Sequence, residues 1–262
     1  MNDIRVSSWN ELNERLYADS WDPTIGRFRS SFVFRGMPDA AYDLKTTLMR
    51  LGGDYGALED HLLRTFRRYA LRQTTSIDSV WNWLAVAQHH GLATRLLDWT
   101  YSPYVAMHFA TEALARFDVD GVIWCVDYVR TNRFLPEKFT EILEVEGAKV
   151  FTAEMLSEAA ATLESFDAAA PYEFVVFFEP PSLDDRIVNQ FALFSLMSSP
   201  TARFDRWLAE HPEFVRRIII PASLKWEVRD KLDQANINER VLFPGLDGLS
   251  LWLKRYYSPK SR

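Results

Sequence analysis

Apolar and polar positions change period several times along the chain, and each change predicts an element. Residues 9–17 read as a short helix. Over residues 28–36 the β-prone run Ser31-Phe32-Val33-Phe34 reads as a strand, which Gly36 and Pro38 end. Residues 55–72 repeat at helical spacing, with Leu58, Leu62, Phe66 and Tyr69 on one face. A second helix spans 80–90. There Trp81, Leu84, Ala85 and Gln88 share a face, and Gly91 suits the left-handed position past its end. Residues 92–101 read as a tight loop. Ser102-Pro103 then opens a third helix as N-cap and first helical residue, with Val105, Phe109 and Ala113 along its apolar face.

The second half reads mainly as strands, at 121–129, 172–179, 187–196 and 214–220. Between the first two, residues 136–166 are rich in Glu and Ala and read as a helical insertion. Residues 223–234 are helical. Residues 239–243 form a short strand stopped by Pro244-Gly245, and 246–256 a final helix. Helices gather early and strands late. That order predicts an α+β fold, with helices packed on a mostly antiparallel or mixed sheet. With 262 residues the chain suits one domain carrying an insertion, its core over about 28–256.

Composition sharpens this picture. Hydrophobic residues make up 48% of the chain, including nine Trp, which is ample for a core without staples. The single cysteine, Cys125, excludes an internal disulfide and a cysteine-based zinc site. Its neighbours Ile123, Trp124 and Val126 mark it as a small buried hydrophobe. No metal site is expected. No apolar run approaches the roughly 18 residues of a membrane span, and no leader follows Met1, so the expected location is cytoplasmic. A net charge of −6 argues against a broad nucleic-acid surface. Arg64, Arg67, Arg68 and Arg72 lie at helical spacing, as a solvated helix face or a local basic groove. There is no Gly-x-Gly-x-x-Gly and no phosphate loop, so neither a dinucleotide-binding Rossmann unit nor a P-loop NTPase is supported.

Four segments carry candidate chemistry. In Phe34-Arg35-Gly36, an Arg fork at a strand end suits a diphosphate, a carboxylate or a structural ion pair, and Gly36 would let a ligand near the backbone. Residues 88–100 crowd Gln88, His89, Arg95, Asp98 and Thr100 between two apolar helices, beside Ser102 at a helix start that favours phosphate. Each has a structural reading: Ser102 as N-cap, Asp98 paired with Arg95, a His on a buried carbonyl. Together they point to a site. In the third segment, strand alternation over Arg186 to Phe191 puts Asn189 and Gln190 on opposite faces, either one free to line a cleft. In the fourth, Glu239 opens a short strand, where it is either solvated or able to polarise a ribose hydroxyl.

The series Phe34-Arg35-Gly36, Gln88-His89-x-Gly91, Arg95-Leu96-Leu97-Asp98-Trp99-Thr100 and Ala106-x-x-Phe109-Ala110 resembles the FRG-domain family. Arg186-Ile187-x-x-Gln190 and the stretch from Leu242 to Leu249 resemble it too, so the likeness spans about residues 31–256. The family often places Gly after that Gln, where this chain has Phe191. The family in turn is remotely similar to NAD-dependent ADP-ribosyltransferases of the arginine–serine–glutamate kind. That likeness implies an ADP-ribosyltransferase-like fold with NAD as substrate. Arg35 would hold the diphosphate, and Thr100 and Ser102 would order the cleft. Gln88 or His89 would contact the substrate. Glu239 would bond the nicotinamide ribose and stabilise an oxocarbenium-like transition state by preorganised charge. Two positions depart from the pattern. Alignment on Val241-Leu242-Phe243-Pro244 puts Arg240 at the glutamate position, and a one-residue shift turns a strand side chain to the other face. Asp98 stands where the first Ser is expected.

The resemblance implies a toxin-like or phage-defence effector acting on a protein or nucleic acid, with a neutralising partner protein. Two other readings stand beside it. One is a non-catalytic nucleotide- or nucleic-acid-binding module. The other is a hydrolase using His89 and Asp98 as an acid–base pair.

Overall fold

The computed structural model describes residues 3–70, 79–182 and 184–259. Its strands are β1 (Asp3–Arg5), β2 (Trp21–Asp22), β3 (Arg27–Phe28), β4 (Phe32–Met37), β5 (Leu97–Thr100), β6 (Gly121–Asp127), β7 (Val175–Phe178), β8 (Ala192–Met197) and β9 (Val215–Ile220). Helices α1 (Trp9–Tyr17), α2 (Tyr55–Ala70), α3 (Val80–His89) and α4 (Pro103–Ala110) fall in the first half. Then come α5 (Tyr128–Thr131), α6 (Glu137–Val145), α7 (Ala153–Ala159), α8 (Leu163–Asp167) and α9 (Asp185–Asn189). The last four are α10 (Phe204–Glu210), α11 (Lys225–Gln234), α12 (Glu239–Leu242) and α13 (Leu246–Tyr256).

Seven strands form one sheet in the order β1-β9-β6-β4-β5-β8-β7. Only β1 with β9 is parallel; the other neighbours are antiparallel. The expected α+β class and mostly antiparallel sheet are therefore present. Alternation along β6 shows how the sheet divides its core. Val122, Trp124 and Val126 join one apolar cluster, with Trp99, Phe177, Phe204 and Trp207. Ile123 and Cys125 join the cluster on the other face, under α4 and α11. Burial pushes the Cys125 thiol up to about 12, which leaves it an inert hydrophobe. The segment 136–166 folds as α6, α7 and α8, and these are part of the core. Phe139, Leu156 and Phe166 are buried with Trp81, whose Nε1 donates to Ala160 O at 2.8 Å. No helix among the described residues is long and apolar enough to cross a membrane.

Several local expectations are corrected. The buried side of α2 is Glu59 and Leu63, while Leu58 and Tyr69 are exposed. Burying Glu59 turns the helix, because Arg95 meets it from inside. Arg72 lies outside the described residues. Of its neighbours, Arg68 stacks on Tyr69 and Arg67 on Trp83, a helix face with partners of its own. Within the expected loop 92–101 lies β5, a strand disguised by its polar residues. The helix begun at Pro103 ends at Ala110, so Ala113 is not on it. Residues 185–189 and 239–242 are single helical turns, not strands. Asp184 and Asn238 cap them through their side chains onto Ile187 N and Val241 N, and these caps override the β-prone Ile187-Val188 and Val241-Leu242.

Candidate functional site

The sheet almost splits in two. β4 pairs with β6 over six positions and β5 with β8 over four, but β4 and β5 share the single pair Phe34↔Thr100. Beyond that pair the strands part, and a cavity of about 480 Å³ opens beside them. That size lies in the range of small-molecule sites, about 300–1,000 Å³.

Arg35 stands on β4 just past the pair. Its side chain keeps 23% exposure, and Nη1 donates to Asp98 O across the gap at 2.5 Å. The Asp98 carboxylate is 3.7 Å away. Arg35 Nε is buried with no hydrogen-bond partner. Burial holds this guanidinium below its ordinary pKa against the pull of Asp98, and neighbouring Arg50 adds to the lowering. A mostly buried cation on the cavity wall, with its carboxylate partner no nearer than 3.7 Å, keeps charge to offer an anion. Arg50 and Arg186 line the same cavity, both exposed. Arg186 lies over the Phe243 ring.

The opposite charges are held in place by a relay of hydrogen bonds. Thr47 Oγ1 accepts from Thr94 N, Thr94 Oγ1 donates to Gln88 Oε1, and Gln88 Nε2 donates to both Asp98 carboxylate oxygens at 3.0 Å. The Thr94 hydroxyl fixes which way the Gln88 amide points, so Asp98 faces the cavity in one orientation. His89 Nε2 lies 2.7 Å from Asp184. The expected acid–base pair of His89 with Asp98 is therefore not formed: each group has a different partner.

Of the expected site residues, Arg35, Gly36, Gln88, His89, Asp98, Thr100 and Gln190 line this one cavity. Not all face it with free chemistry. Thr100 Oγ1 donates to Gln190 O at 2.7 Å and accepts from Ser102 N, so its hydroxyl is occupied in joining β5 to the end of α9. Asn189 and Gln190 do not point to opposite faces. They sit at a helix end, where successive side chains are not alternated, and donate to Val241 O and Leu242 O. Gly36 has a packing role: a Cβ there would lie 1.8 Å from Ala106 O. The absent side chain and the small residues Ala106 and Ala110 let α4 lie directly on β4.

Ser102 and Glu239 are not among the residues lining the cavity. Ser102 caps α4 by accepting from Val105 N. Glu239 is 6% exposed and bonded by Arg255 Nε at 2.5 Å and Nη2 at 2.8 Å. Burial opposes its ionisation, yet the Arg255 bonds hold its carboxyl below the usual range. Arg95 also points away. It grips Glu59 with Nε at 2.8 Å to each oxygen, and it bonds Asp167 as well. The expected Asp98–Arg95 pair is absent.

Sequence reasoning missed Arg50, Arg186 as a cavity residue, Phe109 facing ligand space, and above all Glu112. Glu112 lies two residues past the end of α4, where helical spacing no longer fixes the side a residue faces.

Residues 30–118 match the family model described as the FRG domain. The match runs from just before β4 to just before β6, and so includes Arg35, Gly36, Gln88, His89, Asp98, Thr100 and Glu112. No curated protein and no solved structure matches the chain.

Proposed function

We propose that this FRG-domain chain is an NAD-dependent transferase of the ADP-ribosyl kind, with its site where β4 and β5 part. The carrying observation is Arg35, a mostly buried guanidinium with an unsatisfied Nε on the wall of a cavity lined by two further Arg and by carboxylates. A diphosphate answers the Arg35 donors, and Arg50 and Arg186 add charge at the rim. Asp98, oriented by Gln88, accepts from ribose hydroxyls. NAD supplies an activated ADP-ribosyl group on a leaving nicotinamide. The residues position it and present negative charge where positive charge grows. An ADP-ribosyltransferase-like fold suits a sheet that opens in its middle. The acceptor is a protein or nucleic-acid nucleophile.

The test is to incubate folded protein with NAD and candidate acceptors, and to follow nicotinamide release and label transfer in wild type and Arg35→Ala. Release that depends on Arg35 is expected. No release and no transfer from either protein counts against the reading.

A second reading is a nucleotide-sensing module without turnover. It is favoured by Glu239, whose carboxylate is already bonded to Arg255 away from the cavity. Binding of NAD with no nicotinamide released supports that reading over the first.

A further inference from the structure

We propose that Glu112 is the carboxylate through which the cavity engages the nicotinamide ribose of its ligand, and that His108 and Arg229 position it. The proposal rests on the nucleotide reading above and assigns the role left open by Glu239.

Glu112 lines the cavity, with its side chain 36% exposed. Among the described residues no Lys or Arg lies within ion-pair distance of it, so its charge is not spent on the fold. Its nearest basic group is His108, 3.6 Å away and too far for a hydrogen bond, whereas Asp98 has Gln88 and Arg35, and Asp184 has His89 at 2.7 Å.

Behind Glu112 stands His108, one helical turn earlier and 0% exposed. Arg229 Nη1 lies 2.9 Å from His108 Nδ1. A guanidinium only donates, so Nδ1 must accept, and the proton of the neutral ring sits on Nε2. That nitrogen is buried, has no hydrogen-bond partner, and lies 3.6 Å from Glu112 Oε2. At 3.6 Å this is not yet a hydrogen bond, and an unanswered buried N–H is costly. Closing that gap would give the Nε2–H the acceptor it lacks. Contacts of this kind commonly tighten when the reacting complex forms.

Arg229 is in turn immobilised. It is 0% exposed, and Nη2 donates to Ile237 O at 3.0 Å. Burial keeps imidazolium disfavoured at His108, and the Arg229 charge adds to this against the pull of Glu112. The three side chains thus form a line from the core to the cavity: a fixed cation, a neutral imidazole with one proton to offer, and a carboxylate facing the ligand.

Two measurements decide it. In histidine ¹⁵N spectra, His108 should show the Nε2–H tautomer, with Nε2 shifted in Glu112→Gln. An Nδ1–H tautomer overturns the positioning line whether or not NAD is turned over. In kinetics, Glu112→Gln should bind NAD within about threefold of wild type, since Arg35 still holds the diphosphate. Its nicotinamide release should fall about 100-fold. His108→Leu should lower the rate without weakening binding, and His108→Gln, which keeps an N–H donor, should restore much of it. Wild-type rates in Glu112→Gln overturn the assignment and leave the transferase reading standing. A wild type that neither binds nor cleaves NAD removes that reading, and the ribose role of Glu112 with it.

Discussion

Arg35 and Arg95 both point inward, yet they sit in opposite circumstances. Arg95 is 4% exposed and meets two carboxylates, Glu59 and Asp167, that tie α2 and α8 to the start of β5. Arg35 meets one carbonyl and a carboxylate at 3.7 Å, and keeps a buried Nε unanswered. A cation whose donors are all matched belongs to the architecture. One that lines a cavity with no carboxylate in close contact is poised for something that arrives. Charge and burial alone do not separate the two; close carboxylate pairing on one side and a place on the cavity wall on the other do.

The largest effect should come from the architectural side. Arg95→Ala leaves the buried Glu59 carboxylate without its cation, and unfolding in urea should show a loss of about 3–5 kcal/mol. Equal stability to wild type would remove the contrast. Gly36→Ala comes next. The new Cβ meets the α4 backbone at Ala106, and a loss of about 1–3 kcal/mol or more is expected in the same assay. An unchanged midpoint would count against the packing role of Gly36.

A pH-dependent term should follow. His108 has its folded pKa held below the ordinary 6.5 by burial and by Arg229, against Glu112 and Glu239. The unfolded chain takes up a proton that the folded form resists. This residue's share of stability is therefore complete above pH 6.5 and is lost as pH falls towards the folded value. The slope is at most about 1.4 kcal/mol per pH unit, and His108→Leu should flatten that limb of a stability–pH curve. The smallest effect is on Arg35 itself: Arg35→Ala should change folding stability by less than about 1 kcal/mol, because Asp98 is exposed and keeps Gln88.

Much of this was legible in the chain. β4 and α4 announced themselves through an apolar run before Gly36 and an N-cap before Pro103. The density of polar groups at residues 88–100 between apolar helices pointed to a site there; that Arg35 joins it came only with the family resemblance. Other features were hidden for physical reasons. β5 is four residues long, and its outward Asp98 conceals the period of a strand. The turns at Asp185 and Glu239 are too short for periodicity, and only Asp184 and Asn238 betray them. Phe191 shows the opposite case. It adopts φ of +48°, a left-handed conformation in which a side chain is strained. Its ring packs on Tyr101 at 4.9 Å between centroids. Glu239 lies outside the cavity lining and is held by Arg255, sixteen positions later, and no local pattern reveals so distant a partner.

Calorimetric titration of NAD into wild type and Arg35→Ala tests the central claim most directly. The account predicts saturable binding to wild type, weakened about 10–100-fold in the variant, as befits the loss of charge-assisted hydrogen bonds. Equal affinity in the two proteins, or no binding by wild type, would contradict it.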